Sequence, residues 1–244
     1  MNPLSDWLLP DWPAPANVRA CVTTCAGGVS PAPFASLNLG DHVGDDPAAV
    51  AANRHLLVDR LDCHPAWLQQ VHSPDVVQAD SSRVLTADAS WTATPGTACS
   101  VLTADCLPAL FCDRAGTRVA AAHAGWRGLA GGVLENTVAA LAVAPSELLV
   151  WLGPAIGPES FEVGPEVREA FVSQHAEADR AFRPSANAGK FMADLYALAR
   201  IRLAAIGVTA VYGGGLDTFT DPRFFSYRRA SRTGRFASLI WLAG

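Results

Sequence analysis

The chain has 244 residues, half of them hydrophobic and 17% charged, with a net charge of −5. That balance suits a compact domain with a sizeable core, is wrong for a disordered chain, and gives no support for a nucleic-acid or anionic-membrane surface. No basic, apolar leader and no run of about 18 apolar residues is present, so a cytoplasmic location is expected, with reduced cysteines at 21, 25, 63, 99, 106 and 112.

The expected organisation is a single catalytic domain over 1–244 whose first 15 residues are an extended segment. Residues 17–25 alternate well enough for a strand, and the Gly/Pro/Ser-rich stretch 26–40 reads as a long loop. A loop of that length in a compact chain is more often functional than idle. Asp45 or Asp46 before Pro47 makes an N-cap and N1 pair for a helix to about Leu61, carrying Asn53 and Arg54. Short strands are expected near 66–71, 75–79, 97–103, 107–112 and 117–123. A helix from Arg127 or Leu129 to about Val143 has apolar positions 129, 133, 134, 138 and 141 on one face. A strand over 147–153, helices over 165–175 and 190–206, and strands over 208–212, 224–228 and 236–242 complete the chain, with Gly207 closing the last helix. Strands and helices mix without strict alternation and no internal repeat stands out. The pattern favours an α/β (mixed α+β) layered sandwich with mixed sheets over a Rossmann fold.

Three soft ligands punctuate the strand series: His72 in LQQVHSPD, Cys106 in VLTADCLPALF and His123 in VAAAHAGWRG. Each stands near a strand end beside a turn, where loops can aim side chains into one cleft. Two imidazoles and a thiolate are three of zinc's four preferred positions and leave the fourth open, although a lone Cys is also a common core hydrophobe. Gln70 and Asp105 are placed to support these ligands from behind; Asp105 is a candidate acid/base or else a turn Asp bonding local amides. Cys21, Cys25 and Cys63-His64 match no zinc spacing and are read as core. Copper suits the residues less well. A blue-copper site wants an axial Met, and only Met1 and Met192 exist; a multi-copper oxidase needs roughly ten His by ligand count. The chain has six His, of which His42, His55, His64 and His175 lie outside the triad.

Nearly all basic residues are Arg, with Lys190 the only Lys and five arginines between Arg223 and Arg235. Guanidinium suits bidentate oxyanion binding. Arg127, just after His123 at a predicted helix start, is the first candidate for phosphate, with Arg54 and Arg228 next. Alternation in a strand over 224–228 would put Arg228 and Arg229 on opposite faces. Asn38 in SLNLG could bond ribose or base, or cap its loop. GWRGLAGG lacks the Lys and Ser/Thr of a Walker motif, and Trp126 could stack on a purine or belong to the core.

The ordered segments GGVSPAPFASLNLG, GDDPAAVAANR, LQQVH, TADCLP, AAHAGWRG, WLGPAIGP, FEVG and FFSYRR…TGR, spanning about 16–241, resemble the bacterial family once called multi-copper polyphenol oxidoreductases (laccases) and now purine nucleoside phosphorylases. The resemblance implies zinc on the counterparts of His72, Cys106 and His123. It also implies phosphorolysis of adenosine, inosine, guanosine and methylthioadenosine, adenosine deamination, and a layered fold likened to cysteine hydrolases. Where the family commonly has Cys-Thr before FFSYRR, this chain has Asp217. The H-x-E and P-C-x-x-C signature of zinc nucleobase deaminases is absent, so a deaminase activity must be built differently. A cysteine hydrolase using Cys106 with His123 or His72 as base is the second reading. A binding protein whose zinc staples loops is the third, weakened by the lack of a fourth protein ligand.

Overall fold

The computed structural model describes residues 6–244, so the first five residues of the expected extended segment lie outside the described residues. Two mixed sheets form the centre. One has four strands in the order Val18–Val22, Phe236–Leu242, Thr97–Thr103, His64–Ala66; the other has six, in the order Val211–Gly213, Leu148–Leu152, Leu107–Asp113, Val119–Ala124, Ala89–Thr92, Val76–Gln78.

Side-chain alternation explains how they stack. Cys99, Val101 and Ile240 of the first sheet meet Leu110, Cys112, Ala121 and Leu149 of the second in one shared core. Their neighbours Ala98, Leu102, Leu239 and Trp241 point the other way, toward Leu57 on the helix Pro47–Val58 and Leu37 and Leu39 of the preceding loop. On the far face of the six-stranded sheet, Ala109, Phe111, Ala120 and Ala122 pack against Leu134, Val138, Leu198 and Ile201 from the helices Val133–Leu141 and Leu195–Ala205. Helix, sheet, sheet and helices thus form a layered α/β sandwich. Among the described residues no helix is long and apolar enough to cross a membrane.

Most sequence-based elements hold. The strand expected over 66–71 is two, His64–Ala66 and Leu68–Gln69, and short strands at Leu85–Thr86, Glu162–Val163 and Phe182–Pro184 were not expected. Other differences bear more closely on the site. The helix expected over 127–143 is two, Trp126–Gly131 and Val133–Leu141, because Gly132 takes φ 97°, a left-handed value that stops the first helix and turns the chain into the second. The helix expected from 190 starts at Leu195 under an Asp194 cap, and Phe191–Ala193 before it is a strand. Residues 224–228 form turns, so the face-alternation argument for Arg228 and Arg229 does not apply. Strand Ala89–Thr92 was not foreseen, and its place between Val119–Ala124 and Val76–Gln78 matters for the site. The Asp46–Pro47 start is as expected: Asp46 accepts from the Ala48 N–H and Pro47 opens the helix, which ends at Val58 rather than Leu61.

Candidate metal and substrate site

Sheet register brings the three soft ligands together. Strands Leu107–Asp113 and Val119–Ala124 are antiparallel with Pro108 opposite His123 and Leu107 opposite Ala124. One step further sets Cys106 beside Gly125, where a Cβ would stand 2.9 Å from Cys106 Sγ and 3.0 Å from His72 Cδ2. Glycine is needed there because the thiol and the imidazole occupy the space a side chain would take. His72 Nε2 lies 3.9 Å from Cys106 Sγ, and the two imidazole rings meet edge-on with centroids 4.8 Å apart.

The next strand supplies the support. Ala89 pairs with Ala122, so Asp88 stands next to His123, accepting from its backbone N–H at 2.7 Å through the main-chain carbonyl and facing its Nδ1 at 2.7 Å through Oδ1. The Asp88 carboxylate, fully buried, also accepts from the N–H groups of Val71 (3.0 Å), His72 (2.9 Å) and Ser73 (2.7 Å). One side chain therefore shapes the loop that carries His72 and orients the ring of His123, leaving His123 Nε2 for the cleft. Gln70 and Asp105 were expected in that supporting place. Gln70 instead exchanges two hydrogen bonds with the Leu102 backbone. Asp105 accepts from Thr218 Oγ1 at 2.6 Å and the Arg228 N–H at 2.6 Å, so both its oxygens tie down neighbouring loops. Asp88 was missed, although the pentapeptide VLTAD occurs at 84–88 and again at 101–105, ending in each case on a buried Asp.

The electrostatics single out the same residues. Burial alone would push the Cys106 thiol up, but the His123 and His72 imidazoles outweigh it and bring it down to about 6. Burial pushes the thiols of Cys63, Cys99 and Cys112 up to about 12, and raises Cys21 and Cys25 as well. His123 would be lowered by burial, yet Cys106 and Asp88 hold it at about 9. Asp88 stays below the usual carboxylate range, because its bonds to His123 and to the Ser73 and Val71 amides overcome burial.

The residues fit a metal. Their donor atoms lie within 4.8 Å of one another, and this is the one such set of three among the described residues, so Cys21, Cys25, Cys63 and His64 make no second site. Four-coordinate zinc with N and S donors sets them roughly 3.3–3.6 Å apart, a modest contraction of this arrangement.

The triad forms the floor of a cavity of about 430 Å³. That is within the ~300–1,000 Å³ range of small-molecule sites. Trp126, Phe161 and Tyr227 give it aromatic walls, Arg127, Arg228 and Arg235 give it cations, and His42 adds an imidazole. Arg127 is exposed and lies over the Trp126 ring at 4.4 Å. Arg228 donates to the carbonyls of Ser160 and Glu162, while Arg229 turns away to those of Thr218, Phe219 and Phe224. Two expected substrate ligands are not among the cavity's lining residues. Arg54 donates to the Leu39 carbonyl, pairs with Asp41 and lies over Trp67 at 4.5 Å. Asn38, fully buried, donates to the Gly40 carbonyl and Asp45 and accepts from the N–H groups of Gly40 and Arg235. Asp217 accepts from Gly157 N–H, Ser160 Oγ and Phe219 N–H, pinning the loop that presents Ile156 and Phe161 to the cavity.

Comparison with known proteins agrees with this geometry. Residues 19–243 match the family described as multi-copper polyphenol oxidoreductase laccase. The chain is 72% identical to a purine nucleoside phosphorylase of Pseudomonas aeruginosa over 98% of this chain and 99% of that protein. It is 54% identical to the purine nucleoside phosphorylase YfiH of Escherichia coli, covering 98% and 100%. Among solved structures, a Neisseria meningitidis protein of the DUF152 family superposes with a TM-score of 0.95 at 54% identity, covering 98% of this chain and 100% of that one. YlmD from Geobacillus stearothermophilus gives 0.91 at 32%, covering 98% and 97%. These matches over nearly the full chain, in sequence and in fold, make the protein a member of the YfiH family of purine nucleoside phosphorylases.

Proposed function

We propose that the chain is a zinc-dependent purine nucleoside phosphorylase acting on adenosine, inosine, guanosine and methylthioadenosine, with adenosine deamination as a second activity. The observation that carries this reading is the His72–Cys106–His123 cluster on the floor of an aromatic and cationic cavity, in a chain 72% identical to a purine nucleoside phosphorylase. Zinc held by those three residues would supply Lewis-acid polarisation at the cavity floor.

The chain's own groups account for the rest. Trp126, Phe161 and Tyr227 offer faces on which a purine can stack. The guanidinium groups counter the charge of a phosphate dianion, whose only hydrogen is transferred in the net reaction. A phosphate oxygen bonds to C1′, the bond from C1′ to the purine nitrogen breaks with its electrons passing to the ring, and the phosphate's proton ends on the released base. Deamination exchanges the C6 amino group for the oxygen of water and releases ammonia. In both, Asp88 keeps His123 aimed and Asp105 holds the Arg228 segment against the cavity.

A cysteine hydrolase reading has one observation in its favour: Cys106, His123 and Asp88 stand in the order nucleophile, base and orienter. Metal analysis, a phosphate-dependent assay on inosine and adenosine, and iodoacetamide labelling with and without zinc separate the two. Near-stoichiometric zinc, phosphate-dependent release of purine, and a Cys106 that is alkylated only after chelation support the proposal. Activity that survives a chelator, with Cys106 labelled while zinc is bound, overturns it. Copper in a multi-atom ratio overturns the metal assignment.

A further inference from the structure

Three arginines and His42 line the cavity, and the structure distinguishes them by what each already holds. Arg228 directs its guanidinium at two backbone carbonyls, at 3.4 Å and 3.0 Å. Arg127 is exposed and stacked on Trp126, and His42 stands at the exposed mouth beside Asp41. Arg235 is different. Its side chain is half-buried and forms no ion pair with a carboxylate among the described residues; its only donations are from Nη1 to the carbonyls of Thr233 and Gly234. Nε and Nη2 remain without a protein partner among the described residues.

A partly desolvated cation without a counter-ion, with free nitrogens still open to the cavity, is well placed for an anionic ligand to supply one. Burial pulls the Arg235 pKa down, opposed by its electrostatic coupling to Cys106, Asp105 and Tyr227, which line the same cavity beside the His72–Cys106–His123 cluster. The backbone agrees: Phe236 pairs with Thr103, so Arg235 and the turn from Thr103 to Cys106 leave the same end of the four-stranded sheet. Thr103 also lines the cavity, and its buried Oγ1 has no hydrogen-bond partner.

The loop that ends in SLNLG exists in part to hold this arginine. Asn38 Oδ1 accepts from the Arg235 N–H at 2.8 Å, and the Leu39 N–H donates to the Arg235 carbonyl at 3.0 Å. Gly40 leaves room for the stem, since a Cβ there would stand 2.8 Å from Arg235 Cγ.

We propose that Arg235, held in place by the Asn38–Gly40 turn, is the guanidinium that binds the phosphate co-substrate, with Asn38 a positioning residue and no substrate ligand. The proposal rests on the phosphorylase reading for its choice of anion. Zinc-loaded Arg235→Ala should show a phosphate KM raised about tenfold or more, as loss of a charge-assisted contact implies. Its inosine KM should stay within about twofold, since the aromatic walls are untouched. Arg235→Lys should fall between the two, keeping charge without the fork. Calorimetric titration of inorganic phosphate into zinc-loaded protein without nucleoside reads the same site independently of turnover; it should be abolished in Arg235→Ala and unchanged in the exposed control Arg19→Ala. Should Arg235→Ala not fold, Gly40→Ala displaces the stem and is expected to raise the phosphate KM while zinc content holds. Wild-type phosphate affinity in the variants that fold overturns the proposal. Phosphate binding that depends on Arg235 in a protein that cleaves no nucleoside would leave the anion site standing and overturn the phosphorylase reading instead.

Discussion

Replacing Asp88 by Asn tests the reasoning about the metal site most directly. The carboxylate accepts four hydrogen bonds, from His72 N–H and His123 Nδ1 on one oxygen and from Val71 and Ser73 N–H on the other. An amide keeps one accepting oxygen, so one pair of bonds survives and the other is replaced by an NH₂ facing two donors. Two bonds to a charged acceptor, at roughly 1.5–3 kcal/mol each, put the expected loss at about 3–6 kcal/mol, with the strain of opposed donors added. The loop that carries His72 relaxes and the His123 ring loses its orienting partner, so zinc affinity should fall by roughly 10–100-fold. Competition with a chelator of known affinity measures the second quantity, and denaturant unfolding of metal-free protein the first. Asp88→Asn with zinc affinity within about twofold of wild type and stability within about 0.5 kcal/mol would show that register alone positions the ligands and that the carboxylate adds nothing.

Three further outcomes follow from the same geometry. Gly125→Ala places a methyl against both Cys106 Sγ and His72 Cδ2, so it should weaken zinc binding more than it lowers the unfolding midpoint of metal-free protein; an unchanged zinc affinity counts against the close packing of these ligands. His72→Ala removes one donor of three and should yield protein purified largely without zinc, read by elemental analysis, while near-UV circular dichroism stays native. Burial raises the Asp217 carboxyl, but hydrogen bonds from Ser160, Gly157 and Phe219 lower it more, leaving it below its ordinary value. Such a group stabilises the fold above its unfolded pKa and loses that contribution as pH falls through the folded one. Asp217→Asn should therefore be less stable than wild type at neutral pH, with the gap narrowing in acid. A gap independent of pH would contradict this.

The clustering of His72, Cys106 and His123 was legible because the signal is carried by residue type: two imidazoles and a thiol at strand ends are few in a chain with six His and six Cys. Asp88 was hidden because its role depends on strand Ala89–Thr92 pairing with Val119–Ala124, and the alternation of that four-residue strand is weak, with an alanine and a serine in its first two positions. Asn38 and Arg54 are harder to read. A polar residue in a loop, or on a helix packed against one, looks the same in sequence whether it grips a ligand or grips the loop, and here Asn38 and the helical Arg54 both hold the loop. Arg235 escaped notice as one of five arginines within thirteen positions; only the register of Phe236 with Thr103 separates it from its exposed neighbours.

The backbone adds a reason for the site's position that no motif carries. Among the described residues three non-glycine residues take positive φ: His72 at 63°, Asp105 at 94° and Ala142 at 51°. The first belongs to the candidate metal-binding triad and the second directly precedes a member of it. Such conformations cost about 1–3 kcal/mol each and persist only where surrounding bonds over-determine them. For His72 those bonds come from Asp88, and for Asp105 from Thr218 and Arg228. Both loops are thus bent toward the cavity by contacts made outside it. A metal held by the triad would meet donors whose strain is already met by hydrogen bonds elsewhere, and would lose little of its binding free energy to ordering them. Removing those outer bonds should therefore cost metal affinity without touching a single ligand, which is why the Asp88 experiment reads the architecture and not only the chemistry.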